Sequence, residues 1–156
     1  MKKLLIPVMA VILAATACNK ANDTTCDPET TQAPATEVTA LRSYIAGDSI
    51  TATEDPRGFF YNITDSGSAR KPRSCSKVYV NYAGRLTNGT LFDSNDAVSF
   101  SLKSVIKGWT EGVPLIGEGG KITLYLPPSL AYGSAASGPI PANSILIFDI
   151  QLTRVD

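Results

Sequence analysis

The sequence predicts an α+β domain, an antiparallel sheet closed over one short helix. Two observations predict it. From Ile50 onward the chain is a succession of β-branched, aromatic or alternating segments separated by turn residues. Within that stretch only residues 104–113 look helical, with Val105, Ile106 and Trp109 at helical spacing. Pattern alone does not order the strands.

The elements follow in chain order. Residues 58–64 are β-branched and aromatic and predict a strand, closed by the turn cluster Asp65-Ser66-Gly67-Ser68. Residues 77–82 predict a second strand, with Val78, Val80 and Tyr82 on one face and Lys77, Tyr79 and Asn81 on the other. Asn88-Gly89 is a strong turn signal. Residues 99–102 alternate briefly. Residues 121–126 alternate clearly and end at Pro127-Pro128. Residues 145–152 form the most apolar strand and are expected at the centre. Ahead of the sheet, Val38, Leu41 and Ile45 lie at i, i+3 and i+7 in residues 36–46, which predicts a short amphipathic helix stopped by Gly47 and packed on the main domain.

The N-terminus reads as an address. Met1-Lys2-Lys3 is basic, and the apolar run that follows, about a dozen residues, is shorter than the roughly 20 a bilayer span needs. Residues 1–17 are therefore expected to be a signal peptide. Ala15-Thr16-Ala17-Cys18 resembles a bacterial lipobox, in which the cysteine is acylated, although Ala15 stands where leucine is usual. The same residues also fit an ordinary A-x-A cleavage site, which would cut that bond without adding lipid. Residues 18–36 are expected to be the lipidated cysteine and a flexible tether, since Thr, Ala, Asn and Pro supply almost no large apolar side chain. Residues 37–49 carry the short helix and 50–156 the main domain.

Cysteine parity bears on the anchor. Three cysteines leave an odd one in an exported protein. With Cys18 lipidated, Cys26 and Cys75 remain as a pair, and an oxidising compartment favours a disulfide between them over two free thiols.

Composition excludes several kinds of chemistry. Fourteen basic side chains balance fourteen acidic ones, so no nucleic-acid partner is expected. The chain has no histidine, which removes Ser-His-Asp and Cys-His catalysis and most zinc sites. The cysteines lack C-x-x-C spacing, and Gly117-Glu118-Gly119-Gly120-Lys121 lacks phosphate-loop spacing. No metal or cofactor is expected. No dimerisation segment is visible, so a monomer is expected.

The more specific residues come in blocks. Tyr82-Ala83-Gly84, then Gly89-Thr90-Leu91-Phe92-Asp93-Ser94, resemble the Y-x-G … G-x-x-F-D-S block of FKBP-type peptidyl-prolyl isomerases. Val105-Ile106-Lys107-Gly108-Trp109-Thr110-Glu111-Gly112 resembles their V-I-x-G-W-x-E-G helix. Gly119-Gly120-Lys121, Pro128 to Gly133, Ile140-Pro141 and Leu146 to Ile150 follow in family order. The resemblance implies an FKBP-like twisted antiparallel sheet wrapped around one short helix, with the N-terminal helix as an addition. It implies a prolyl cis/trans isomerase acting on proline-containing polypeptides, here exported ones.

It also implies a site. Asp93, Tyr82, Tyr132 and Ile106 would be the catalytic set, with the Ile106 N–H and the Tyr132 hydroxyl offered to substrate carbonyls. Phe92, Val105, Trp109, Ile140, Phe148 and Val98 would contact substrate, with Trp109 as the floor under the prolyl ring. Taken singly, Trp109, Phe148 and Tyr82 read first as core residues, and it is the ordered blocks together that favour the pocket. Two departures stand out. Asn95-Asp96-Ala97 occupies the stretch where many members carry an arginine that fixes the aspartate. Val98 is expected where an aromatic pocket residue often sits, giving the cleft a lower wall. The alternative function is therefore a module that binds proline-containing segments with weak or no isomerase activity.

Overall fold

The computed structural model describes Cys26 and residues 30–156. The expected signal peptide and Cys18 lie outside the described residues. Helix α1 spans Ala35–Gly47, and six strands follow: β1 Thr53–Glu54, β2 Phe60–Asp65, β3 Lys77–Leu86, β4 Leu91–Ser101, β5 Lys121–Leu126 and β6 Leu146–Val155. Helix α2, Lys107–Gly112, stands between β4 and β5, flanked by 3-10 turns at Leu102–Ser104 and Val113–Leu115. The strands form one antiparallel sheet in the order β1-β2-β5-β6-β3-β4. The apolar strand β6 is interior, between β5 and β3, as its composition predicts.

Pleat alternation divides the sheet into two faces. Ile122, Leu124 and Leu126 of β5 and Phe148, Ile150 and Leu152 of β6 point to one face, where they form the main core with Val78, Val80, Leu102, Trp109 and Val113. Helix α2 lies on this face. A Cβ at Gly108 would overlap Leu126, and one at Gly112 would stand 2.6 Å from Leu124. These two glycines, one turn apart, let the helix backbone approach the sheet directly.

The opposite face is covered in part by α1. Leu41 and Ile45 pack there with Phe60 and Tyr125, joined by Val38, Ile145 and Ile147. Register places Phe60 opposite Tyr125 and Tyr125 opposite Ile147, so three strands contribute one side chain each to the patch under the helix. No side chain caps the start of α1, which follows Pro34. Glu37 in its first turn instead accepts the Ser129 N–H at 2.8 Å, tying the helix to the loop after β5.

The segment before α1 is also tied down. Cys26 and Cys75 form a disulfide with their Cα atoms 5.2 Å apart. The bridge closes a sequence separation of 49, for which the chain-entropy model gives about 4 kcal/mol of stabilisation. Ala33 donates its N–H to the Arg57 carbonyl at 2.9 Å, and Lys107 donates to the Thr31 hydroxyl at 2.8 Å. The stretch expected to be a flexible tether is thus docked from Thr31 onward.

Candidate active site

The cleft opens between α2 and the sheet, with a volume of about 400 Å³. Tyr82, Asp93, Phe100, Ser104, Val105, Ile106, Trp109, Tyr132 and Phe148 line it. Each comes from a different kind of local structure. Tyr82 and Phe148 are on the core-facing side of β3 and β6, and Phe100 is near the end of β4. Val105 and Ile106 are extended residues before α2, with ψ of 175° and 148°. Trp109 is in the first turn of α2. Tyr132 follows the 3-10 turn Pro128–Leu130 and is 44% exposed, standing at the rim.

Trp109 is 4% exposed and forms the floor. Three rings stand edge-on around it: Tyr82 at 5.2 Å, Phe148 at 5.4 Å and Phe100 at 5.6 Å between centroids. Interplanar angles of 85–90° place ring edges against ring faces, the arrangement the aromatic quadrupole favours. Phe92 stands behind this layer, edge-on to Phe148 at 5.5 Å. Gly84 makes that contact possible, because a Cβ there would stand 2.6 Å from Phe92 and 2.9 Å from Phe148.

The polar groups lie at the edge of the apolar floor. The Tyr82 hydroxyl donates to Asp93 Oδ2 at 2.6 Å. Burial, reinforced by the Asp93 carboxylate, holds the Tyr82 hydroxyl far above the usual tyrosine range. It therefore remains a proton donor at all ordinary pH. No guanidinium reaches Asp93 among the described residues; Arg85, one residue past Gly84, pairs with Asp149 instead. The Ile106 carbonyl accepts the N–H groups of Trp109 and Thr110, while the Ile106 N–H has no partner among the described residues. Its place ahead of the first helical turn leaves that donor available to a ligand carbonyl.

Most residues expected at the site meet here: Tyr82, Asp93, Val105, Ile106, Trp109, Tyr132 and Phe148. Phe92 and Ile140 do not line the cleft; both pack against or within the core, and Ile140 exchanges backbone hydrogen bonds with Ser137. The expectation for Val98 is corrected. Val98 sits opposite Val80 and packs on the core, while Phe100, two residues on and on the same face, supplies the aromatic wall. The reason is position along one face: Val98 lies opposite Val80, whereas Phe100, opposite Val78, stands edge-on to Trp109, and both follow a bulge in which Val80 faces Val98 but Tyr82 faces Asn95, so that β4 carries one extra residue. Ala97 adopts φ 55° in that bulge, and its N–H is received by Asn81 Oδ1 at 2.8 Å. The wall is not lowered. The alternation of Val98, Phe100 and Leu102 is the signal that could have found Phe100.

Comparison with known proteins adds to this geometry. A family model described as FKBP-type peptidyl-prolyl cis-trans isomerase matches residues 68–153, more than half of the chain. The chain is 43% identical over 103 residues to the FKBP-type peptidyl-prolyl cis-trans isomerase FkpA of Aeromonas hydrophila, covering 64% of this chain and 38% of the relative. It is 44% identical over 102 residues to FkpA of Escherichia coli K12, covering 63% of this chain and 38% of the relative. The chain thus spans about two-fifths of the length of these curated relatives. Among solved structures, FkpA from Escherichia coli superposes with a TM-score of 0.71 at 37% identity, covering 78% of this chain and 60% of that one. A peptidyl-prolyl cis-trans isomerase from Pseudomonas syringae superposes with a TM-score of 0.69 at 33% identity, covering 81% and 98%.

Proposed function

The chain belongs to the FKBP-type peptidyl-prolyl cis-trans isomerase family, and we propose that its domain accelerates Xaa-Pro isomerisation in exported polypeptides by holding the twisted amide in the aromatic cleft. One observation carries the reading: an indole floor ringed by three aromatic edges, with a carboxylate–hydroxyl pair at its rim.

The chemistry asks for little more. Resonance gives the peptide bond a rotation barrier of about 18–20 kcal/mol. Twisting the bond removes that resonance and lowers its charge separation. A dry apolar surface favours the twisted state over the planar one, and so binds the transition state more tightly than the ground state. In this reading the prolyl ring rests on Trp109. The Ile106 N–H and the Tyr132 hydroxyl receive substrate carbonyls, and Asp93, set by Tyr82, faces the twisting amide. No nucleophile or proton shuttle is needed, which suits a chain without histidine. Uncatalysed prolyl isomerisation takes roughly 10–100 s, slow enough for a folding factor to matter.

The test uses a soluble form beginning after Cys18 and an Xaa-Pro peptide, followed by NMR exchange or protease-coupled cleavage. Clear acceleration is expected. Peptide binding without acceleration would make the chain a proline-segment binding module instead, the reading that the missing guanidinium at Asp93 favours.

We further propose that residues 1–17 direct export and that Cys18 carries a lipid, tethering a monomeric domain to a bacterial membrane. Among the described residues no helix is long and apolar enough to cross a membrane. The support is the lipobox-like Ala15-Thr16-Ala17-Cys18 together with the pairing of Cys26 and Cys75, which leaves Cys18 as the odd cysteine. Labelled palmitate is expected to enter the wild-type chain and not Cys18→Ser. Equal labelling of both would exclude Cys18 as the acceptor.

A further inference from the structure

Helix α2 has one buried charge, Glu111, whose side chain is 0% exposed. It faces Arg57, whose Nε lies 3.7 Å from Glu111 Oε2. Arg57 comes from the loop ahead of β2 and is itself held by Asp55. It donates from Nε to Asp55 Oδ1 at 2.8 Å and from Nη2 to Oδ2 at 2.9 Å, and its backbone N–H reaches Oδ1 at 2.9 Å. Burial pushes the Asp55 carboxyl up, but these hydrogen bonds outweigh it and hold the carboxyl below its ordinary value. The loop is fixed in turn by the Ala33 N–H on the Arg57 carbonyl.

A buried ion pair contributes little net stability, since an apolar pair of similar volume often does as well. What it adds is a charge partner at a fixed place, because Asp55 holds the guanidinium still, and α2 needs such a fixed point. The helix is six residues long, and it meets the sheet through Gly108 and Gly112. A glycine face allows close approach but offers no knob to engage the sheet, so it leaves rotation about the helix axis weakly defined. At 3.6 residues per turn, positions two apart point to nearly opposite sides of a helix. Trp109 and Glu111 are such a pair. One side of α2 is therefore held by the aromatic cluster and the other by Arg57.

We infer that Arg57 and Glu111, with Asp55 behind them, are positioning residues that set the rotation of α2 and so place the Trp109 floor and the Ile106 N–H in the cleft. The inference rests on the isomerase reading for its catalytic consequence and not for its structural one. Neither residue lines the cleft, so their effect on substrate passes through α2.

The soluble chain carries the test as Glu111→Gln and, separately, Arg57→Lys. Trp109 is the sole tryptophan, so intrinsic fluorescence reports the floor alone. Both variants are assayed at a temperature where far-UV circular dichroism shows them folded. Glu111→Gln is expected to lower kcat/KM about tenfold, since misplacement well under 1 Å is costly in such sites, and to shift the Trp109 emission. Arg57→Lys keeps the charge but loses the planar fork, and about a threefold loss with a smaller shift is expected. If Glu111→Gln does not fold, Arg57→Lys decides. Folded variants with unchanged emission, or with kcat/KM within about twofold of wild type, would overturn the inference. An inactive wild type defeats the isomerase reading, and the emission shift then decides the positioning role by itself.

Discussion

Trp109→Ala is expected to lower the unfolding free energy by about 3–5 kcal/mol, the usual range for removing a buried aromatic side chain. Its ring is the shared partner of Tyr82, Phe100 and Phe148, so one truncation removes three edge-to-face contacts at once. The remaining rings cannot close the gap freely. Phe148 is already braced by Phe92, and Tyr82 is fixed at its hydroxyl by Asp93. Domains of ordinary stability hold about 5–15 kcal/mol in reserve, so the variant should fold but melt early. Urea unfolding measures the loss.

The same truncation is expected to remove most of the activity. The floor supplies apolar contact to the prolyl ring worth about 2–3 kcal/mol if it resembles full burial of an aliphatic side chain. At 1.36 kcal/mol per factor of ten, that is a fall of roughly 30–150-fold in kcat/KM. Water admitted to the enlarged cleft would raise the loss, because hydration favours the planar, more polar amide. Trp109→Phe retains a ring and should recover part of both effects. A variant that is folded, destabilised and fully active would show that the indole is core alone and that the prolyl ring rests elsewhere.

How much of this was legible in the sequence depends on the range of the interaction. Alternation along β5 and the apolar run of β6 are local, and both strands stand where those patterns put them. The sites of Tyr82, Asp93, Trp109, Tyr132 and Phe148 were legible because ordered motifs carry a family's cleft with them. Phe100 was missed because the stretch before α2 reads as about two residues short, which puts Val98 at the aromatic position, whereas the wall is made by ring contacts of Phe100 with Tyr82 and Trp109 that only the folded chain brings together. The contact of Arg57 with Glu111 was not legible at all. Glu111 reads only as part of the helix motif and nothing in the sequence singles out Arg57, and only the packing of α2 against the loop before β2 brings the two together. The disulfide was reached through parity and compartment, while the docking of the stretch from Thr31 onward was not, since it rests on isolated backbone and side-chain hydrogen bonds.

Asp93→Ala is expected to separate activity from stability. The carboxylate is exposed and has a single hydrogen-bond partner among the described residues, so unfolding should shift by no more than about 0.5 kcal/mol, the usual range for surface changes. Activity should fall much further. A hydrogen bond to a charged group contributes about 1.5–3 kcal/mol, which converts to a loss of roughly ten- to a hundredfold in kcat/KM if the bond, already formed in the free cleft, counts in full once substrate has displaced water from the rim. Tyr82→Phe removes the same bond from the other side. If the two residues act as a unit, the double variant should lose little more than the worse single one. Strict additivity would mean that they act on substrate separately. The Tyr82 hydroxyl gives an independent reading. Burial is the larger cause of its raised ionisation and survives in Asp93→Ala, whereas the hydrogen bond and charge of Asp93 do not. Tyrosinate absorbance should therefore show Tyr82 ionising at a lower pH in the variant than in wild type, yet still above an exposed tyrosine. An unchanged titration would mean that the pair seen at the rim does not persist in solution. Loss of activity would then have to come from Asp93 facing the amide without Tyr82 to hold it.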